Sequence, residues 1–351
     1  MRIFYGLSGD GLGHAMRARV IAAHLVERGH EVRLASWGAA AALLRRHGFS
    51  VIEVRGLSAH YEQGRVRRAK TALRMLRETP ARLATNARTL LEQAESFVPD
   101  VAITDFNGFA CVLGHLLKVP TLSVDHQHVM DRFRQPRHVV AGFASDFAVA
   151  RAVVSAKTPR CRRYLVTSFF FPEARRSMTT SIFGPVMRPE LTRLNPTRGD
   201  HIVVYQTAGG ASGLVSALRS MEGVEFRVYG HGAPCQLGNV SLRCFDEASF
   251  LADLAAARAV ITNGGFTAIA EALYLGKPVL SVPLPGQAEQ QLNAAWLAEL
   301  GLGMRAPWVD CVQIRRFIDR LPDMPAGGDA RLRTGTRDAL AAIDRALAEV
   351  A

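Results

Sequence analysis

Short runs of aliphatic and β-branched residues recur along the chain, each leading into a loop and then a segment whose apolar residues fall three and four apart. Such runs cover residues 2–7, 31–36, 99–105 and 120–124, and again 201–205, 227–230, 242–245, 259–262 and 279–283. Short apolar runs of this kind read as buried strands, and the segments between them as helices. Strands alternating with helices in both halves predict an α/β protein with two Rossmann-like parallel sheets. With 351 residues, each half can bury its own core. Residues that end regular structure cluster from Gly184-Pro185 to Gly199-Asp200. The predicted organisation is an amino-terminal domain, 1–187, a linker, 188–200, a carboxyl-terminal domain, 201–328, and a last helix, 329–351.

The loops carry the chemistry. The run 259–262 leads into Asn263-Gly264-Gly265-Phe266-Thr267, placing glycines at a strand-to-helix turn. The first N–H groups of a helix lack internal partners and sit at the positive end of its dipole, so such a turn favours a bound phosphate. Thr267 offers a hydroxyl, and Glu271, one helical turn later, offers a carboxylate to ribose hydroxyls. After Gly276-Lys277-Pro278 and another strand comes a polar loop with Gln287, Glu289 and Gln290, suited to sugar hydroxyls. A further glycine turn at Gly209 and Gly210 opens a helix and suits the phosphates from a second side.

In this order the motifs resemble the two-domain GT-B glycosyltransferases, in particular the MurG-like enzymes and the UDP-glycosyltransferases. The resemblance implies two sheets facing across a cleft, with a nucleotide-diphosphate sugar, a UDP-sugar, held by the second domain. It also places the nucleotide base against backbone near Phe245 and implies that the last helix crosses back to the first domain. Where many of these relatives carry histidine, this chain has Asn263, which removes one cationic phosphate donor.

The amino-terminal half repeats the strand, glycine loop and helix pattern with Gly9, Gly11 and Gly13, followed by His14. A dinucleotide fold is the competing reading, but His14 stands where that pattern needs its third glycine, and the strand 31–36 ends without an acidic ribose ligand. The segment Ser8 to Arg17 is similar to the opening of a subgroup of predicted glycosyltransferases with Gly-Glu-Gly-Leu-Gly-His, Asp10 replacing the glutamate. The resemblance implies that Gly11 and Gly13 make room for acceptor and phosphate. His14 is a candidate general base, since imidazole titrates near neutrality; a helix cap or phosphate contact is the alternative. Asp105 ends the strand 99–105 on the same sheet edge, and the resemblance gives it the role of orienting His14; a helix N-cap is the alternative. Ser123 to His128 invites a metal reading, but it lacks a second ligand cluster. Its position matches the acceptor loop of MurG-like enzymes, which makes Gln127 an acceptor contact and His126 a second candidate base.

The formal charge is +12, and five cysteines without a Cys-x-x-Cys pair argue for reduced thiols in a cytoplasm. No signal-peptide pattern opens the chain. Between Arg65 and Arg88 eight basic residues face one acid, Glu78, with Ala69, Leu73 and Leu76 at helical spacing, which suits the anionic inner face of a membrane and a lipid-linked or cell-envelope acceptor; a solvated helix is the alternative. Nucleic acid is not expected, because no binding motif accompanies the charge. No cofactor and no metal are expected beyond the donor. The readings that compete with transfer to an acceptor hydroxyl are a nucleotide-sugar 2-epimerase and a non-catalytic nucleotide-sugar or membrane-binding protein.

Overall fold

The computed structural model describes residues 1–54, 61–62, 65–66, 85–86, 89, 97–206, 211–325 and 327–351. The basic segment from Arg65 to Arg88 lies almost wholly outside the described residues, as do Gly209 and Gly210.

The first sheet contains β1 (Arg2–Leu7), β2 (Glu31–Ser36), β3 (Val51–Glu53), β4 (Val101–Asp105), β5 (Thr121–Asp125), β6 (Arg163–Thr167) and β7 (Thr180–Phe183). They run parallel in the order β3-β2-β1-β4-β5-β6-β7. Every residue of β4 and β5 is buried, as expected for strands covered on both faces by helices. The helices that matter most here are α1 (Leu12–Glu27), α2 (Gly38–Arg46), α3 (Gly108–Leu116) and α4 (Ala144–Lys157).

The second sheet repeats the plan with β8 (Ile202–Tyr205), β9 (Phe226–Tyr229), β10 (Cys235–Leu237), β11 (Val240–Arg243), β12 (Ala259–Thr262), β13 (Val279–Ser281) and β14 (Gly303–Arg305). Its order is β10-β11-β9-β8-β12-β13-β14, and only the edge pair β10 and β11 is antiparallel. Its helices are α5 (Ala211–Arg219), α6 (Glu247–Ala256), α7 (Phe266–Tyr274), α8 (Ala288–Glu299) and α9 (Cys311–Arg320). In each sheet the strand order reverses beside the first strand, at β1/β4 and at β8/β12. Loops leaving the carboxyl ends diverge there and open a crevice for ligands.

The last helix, α10 (Arg331–Ala348), belongs to the first sheet's core although it follows the second sheet in sequence. Ala342, Ile343, Ala346 and Leu347 pack with Ile3, Ile21 and Leu25, and Asp344 binds His24 and Arg28, each at 2.9 Å. The two domains also share a core. Phe169 and Phe170 of the first domain join Phe266 and Leu292 of the second in one buried cluster, and Phe170 stacks on Trp296 at 5.0 Å.

Candidate active site

Pairing of β1 with β4 puts Leu7 opposite Asp105, and the Ser8 N–H donates to the Asp105 carbonyl at 3.0 Å. The loop that leaves β1 therefore turns into α1 directly above the Asp105 side chain. His14, in the first turn of α1, points its Nδ1 at Asp105 Oδ1, 2.7 Å away. A carboxylate only accepts, so Nδ1 carries the proton in this pair, and in the neutral ring Nε2 is the nitrogen that can accept. Gln127 Nε2 stands 3.5 Å from that nitrogen, a long and weak contact, and donates to Glu289 Oε2 of the second domain at 3.1 Å. His14, Gln127 and Glu289 thus form a line across the domain boundary.

Arg17 completes the site, and nothing in the sequence singled it out. Its Nε and Nη2 donate to the two Asp105 oxygens at 2.8 and 2.6 Å, a bidentate pair in which Asp105 is wholly buried. Arg17 lies three residues after His14, so both reach one face of α1; that spacing was the available signal. The N-cap of α3 is Asn107, which accepts from the Ala110 N–H at 3.1 Å, so Asp105 is not spent on capping.

His126 does not fit the role of a second base. Its Nδ1 faces the Thr167 carbonyl and its Nε2 faces Asn293 Oδ1, both at 2.8 Å, and its ring stacks on Phe266 at 4.0 Å. The residue is 1% exposed, and burial lowers its proton affinity. Neither nitrogen is open to a hydroxyl; His126 fastens the two domains together. His126→Ala should cost about 2–4 kcal/mol through the lost stack and hydrogen bonds. Transfer per folded molecule should fall by no more than about tenfold. Urea unfolding beside an activity assay at low temperature separates the two effects, and loss of activity without loss of stability would restore the base assignment. The neighbouring Asp125 and His128 are each other's partners at 2.7 Å, both buried.

On the donor side, Gly264 needs its glycine. Its φ is 96°, and a Cβ there would fall 2.8 Å from Ser281 Oγ. Gly265 caps α7, and Asn263 reaches the Val282 carbonyl at 3.4 Å. Gln290 Oε1 accepts from the Leu284 N–H at 3.0 Å, so half of that amide holds its own loop, while Gln287 precedes α8 as its N-cap. Phe245 is 41% exposed beside Tyr205 and Phe250, leaving an open aromatic shelf at the ends of the strands.

The expectation for Glu271 needs correction. It sits one turn after Thr267, but its carboxylate faces Arg188 from the linker, 2.7 Å away, and both side chains are buried. Burial raises the Glu271 carboxyl against the pull of Arg188. Arg188 also reaches Glu247 at 2.9 Å, and Glu247 lies within 3.5 Å of Arg19 and His47. The ribose ligand of the sequence reading is therefore part of an ionic clasp between α1, the linker, α6 and α7. The two glycine loops touch as well, since a Cβ on Gly13 would fall 2.5 Å from Thr267 Oγ1. The cavity lined by Gly13, Arg17, Arg188, Phe266, Thr267 and Glu271 measures about 10 Å³. That is scarcely room for one water.

Comparison with known proteins agrees with this fold. The glycotransferase of kitacinnamycin superposes over 100% of this chain and 99% of its own with a TM-score of 0.70 at 18% identity. A spinosyn rhamnosyltransferase solved with thymidine diphosphate covers 99% of this chain and 100% of its own with a TM-score of 0.63 at 20% identity. An uncharacterized glycosyltransferase of Methanosarcina mazei is 26% identical over 342 residues, covering 88% of this chain and 87% of that protein. Two Rossmann-like domains closed over a crevice make this a GT-B fold, as the resemblance implied. The sequence profile described as glycosyl transferase family 1 matches residues 1–322, and the chain belongs to that family. It is a glycosyltransferase.

Proposed function

We propose that the protein transfers a sugar from a UDP-sugar to an acceptor hydroxyl in one inverting displacement, with His14 as general base. The observation that carries this reading is the His14 ring, oriented by Asp105 at Nδ1 so that Nε2 faces only the long Gln127 contact, which continues to Glu289. In the opened cleft the acceptor hydroxyl gives its proton to Nε2 as its oxygen bonds to the anomeric carbon. The bond from that carbon to the diphosphate breaks, and its electron pair leaves with the diphosphate. The sugar lies against Glu289, Gln287 and Gln290, and its inversion follows from attack on the face opposite the leaving group. N–H groups at the start of α7 and the Thr267 hydroxyl meet the charge on the departing diphosphate. The reading includes no metal.

Calorimetry and thermal shift against UDP-, dTDP-, GDP- and ADP-sugars test the donor. Selective UDP-sugar binding is expected, raising stability by about 2.7 kcal/mol at a hundred times Kd. Selective dTDP-sugar binding removes the UDP assignment, and failure of all four removes the donor site as drawn. Product analysis on donor alone separates transfer from epimerisation, which alone would release UDP and an altered sugar without acceptor.

A further inference from the structure

Lys157 ends α4 beside the acceptor crevice, and the mechanism above does not use it. Its ammonium lies 3.9 Å from the centre of the Phe106 ring, and its stem runs along Gly108, where a Cβ would come 3.3 Å from Lys157 Cγ. Phe106 directly follows Asp105 and holds a left-handed φ of 52°. A non-glycine residue takes that conformation at a cost, which points to a constrained site. The two carboxylates that act on Lys157 from a distance are Asp10, in the loop after β1, and Asp125, at the end of β5. The ammonium thus stands at the carboxyl end of β4, the same sheet edge that holds His14. Asp125 is already committed to His128 and Ser123. Among the described residues, Lys157 itself makes no ion pair and no hydrogen bond.

A half-buried ammonium without a counter-ion loses part of its hydration, and a ring face offsets only part of that loss. Burial pushes Lys157 down to about 8. The side chain is partly solvent-accessible, so a ligand can reach it.

We propose that Lys157 is the anion anchor of the acceptor site, so that the acceptor carries a carboxylate or phosphate group beside the hydroxyl presented to His14. The proposal rests on the transferase reading of the first-domain crevice. It adds a substrate class, a hydroxylated anion, and makes Lys157 a specificity-determining residue.

The chain has four lysines, Lys70, Lys118, Lys157 and Lys277, which makes 13C-methyl lysine spectra simple to read. The full-length protein would be reductively methylated, and the Lys157 signal assigned by its loss in Lys157→Gln. Inorganic phosphate, benzoate and benzyl alcohol would then be titrated separately, without donor. A saturable shift of the Lys157 signal with phosphate or benzoate, and none with benzyl alcohol, is expected. The anion that acts at the lower concentration identifies the group. No response to either anion, an equal response to benzyl alcohol, or parallel shifts of all lysine signals would overturn the proposal. UDP- and dTDP-sugar binding measured on wild type and Lys157→Gln keeps the two readings apart. Absence of donor binding in the wild type counts against the donor and transfer step proposed above, whereas intact donor binding with a silent Lys157 condemns only the anchor.

Discussion

Replacing His14 by alanine should lower the rate of sugar transfer by about 10²–10⁴-fold, the range spanned by a positioned general base, while donor affinity stays within about twofold of wild type, well under 1.4 kcal/mol. The argument is geometric. His14 is held from one side by Asp105 at 2.7 Å, and Asp105 is itself gripped by both arms of Arg17. The ring is therefore held in one orientation, with Nε2 toward Gln127. Alanine removes the proton acceptor but leaves the Asp105–Arg17 pair satisfied, so the fold should survive. Single-turnover transfer and calorimetric donor affinity, measured on the same preparation, give the two numbers. Equal losses of both would mean that His14 binds phosphate and another group takes the proton.

Removing Arg188 should have the largest effect on stability. Arg188→Ala leaves Glu271 almost fully buried without its cation, and breaking a buried pair from one side costs about 3–5 kcal/mol. Glu247 keeps Arg19 and His47, and its partial exposure softens its own loss. The double variant Arg188→Met with Glu271→Leu should recover most of the stability, because no unpaired charge then stays inside. It should not recover donor affinity if Glu271 serves ribose once the cleft opens. Urea unfolding of the three proteins decides this. A single-variant loss below about 1 kcal/mol would place the free protein in an open state with Glu271 and Arg188 both in water.

Much of the scaffold is local information. Continuous apolar runs at β4, β5 and β12 could only be strands covered on both sides, and the glycine turns after β1 and β12 could only break into helices at their next residue. Those patterns fix which side chains leave the carboxyl ends of strands, so His14, Asp105, Thr267 and the 287–290 loop were readable as a set. Pairings between distant segments were not readable from spacing, and the His14–Asp105 pair came only through the resemblance. His14 and Asp105 stand 91 residues apart and meet because β1 pairs with β4 in the register Leu7 to Asp105. Arg17 is one of many arginines until that register is known.

Domain docking settled the rest. His126 and Gln127 are adjacent in one loop, yet the first is locked between Thr167 and Asn293 and the second turns to His14 and Glu289. Arg188 and Glu271, 83 residues apart, form a buried pair that no spacing announces. Periodicity and turn chemistry depend on neighbours in sequence, so the chain itself determined its strands, helices and glycine turns. Whether a given nitrogen or carboxylate is free or already paired depends on which surfaces are brought together after those elements form, and only the tertiary structure decided that.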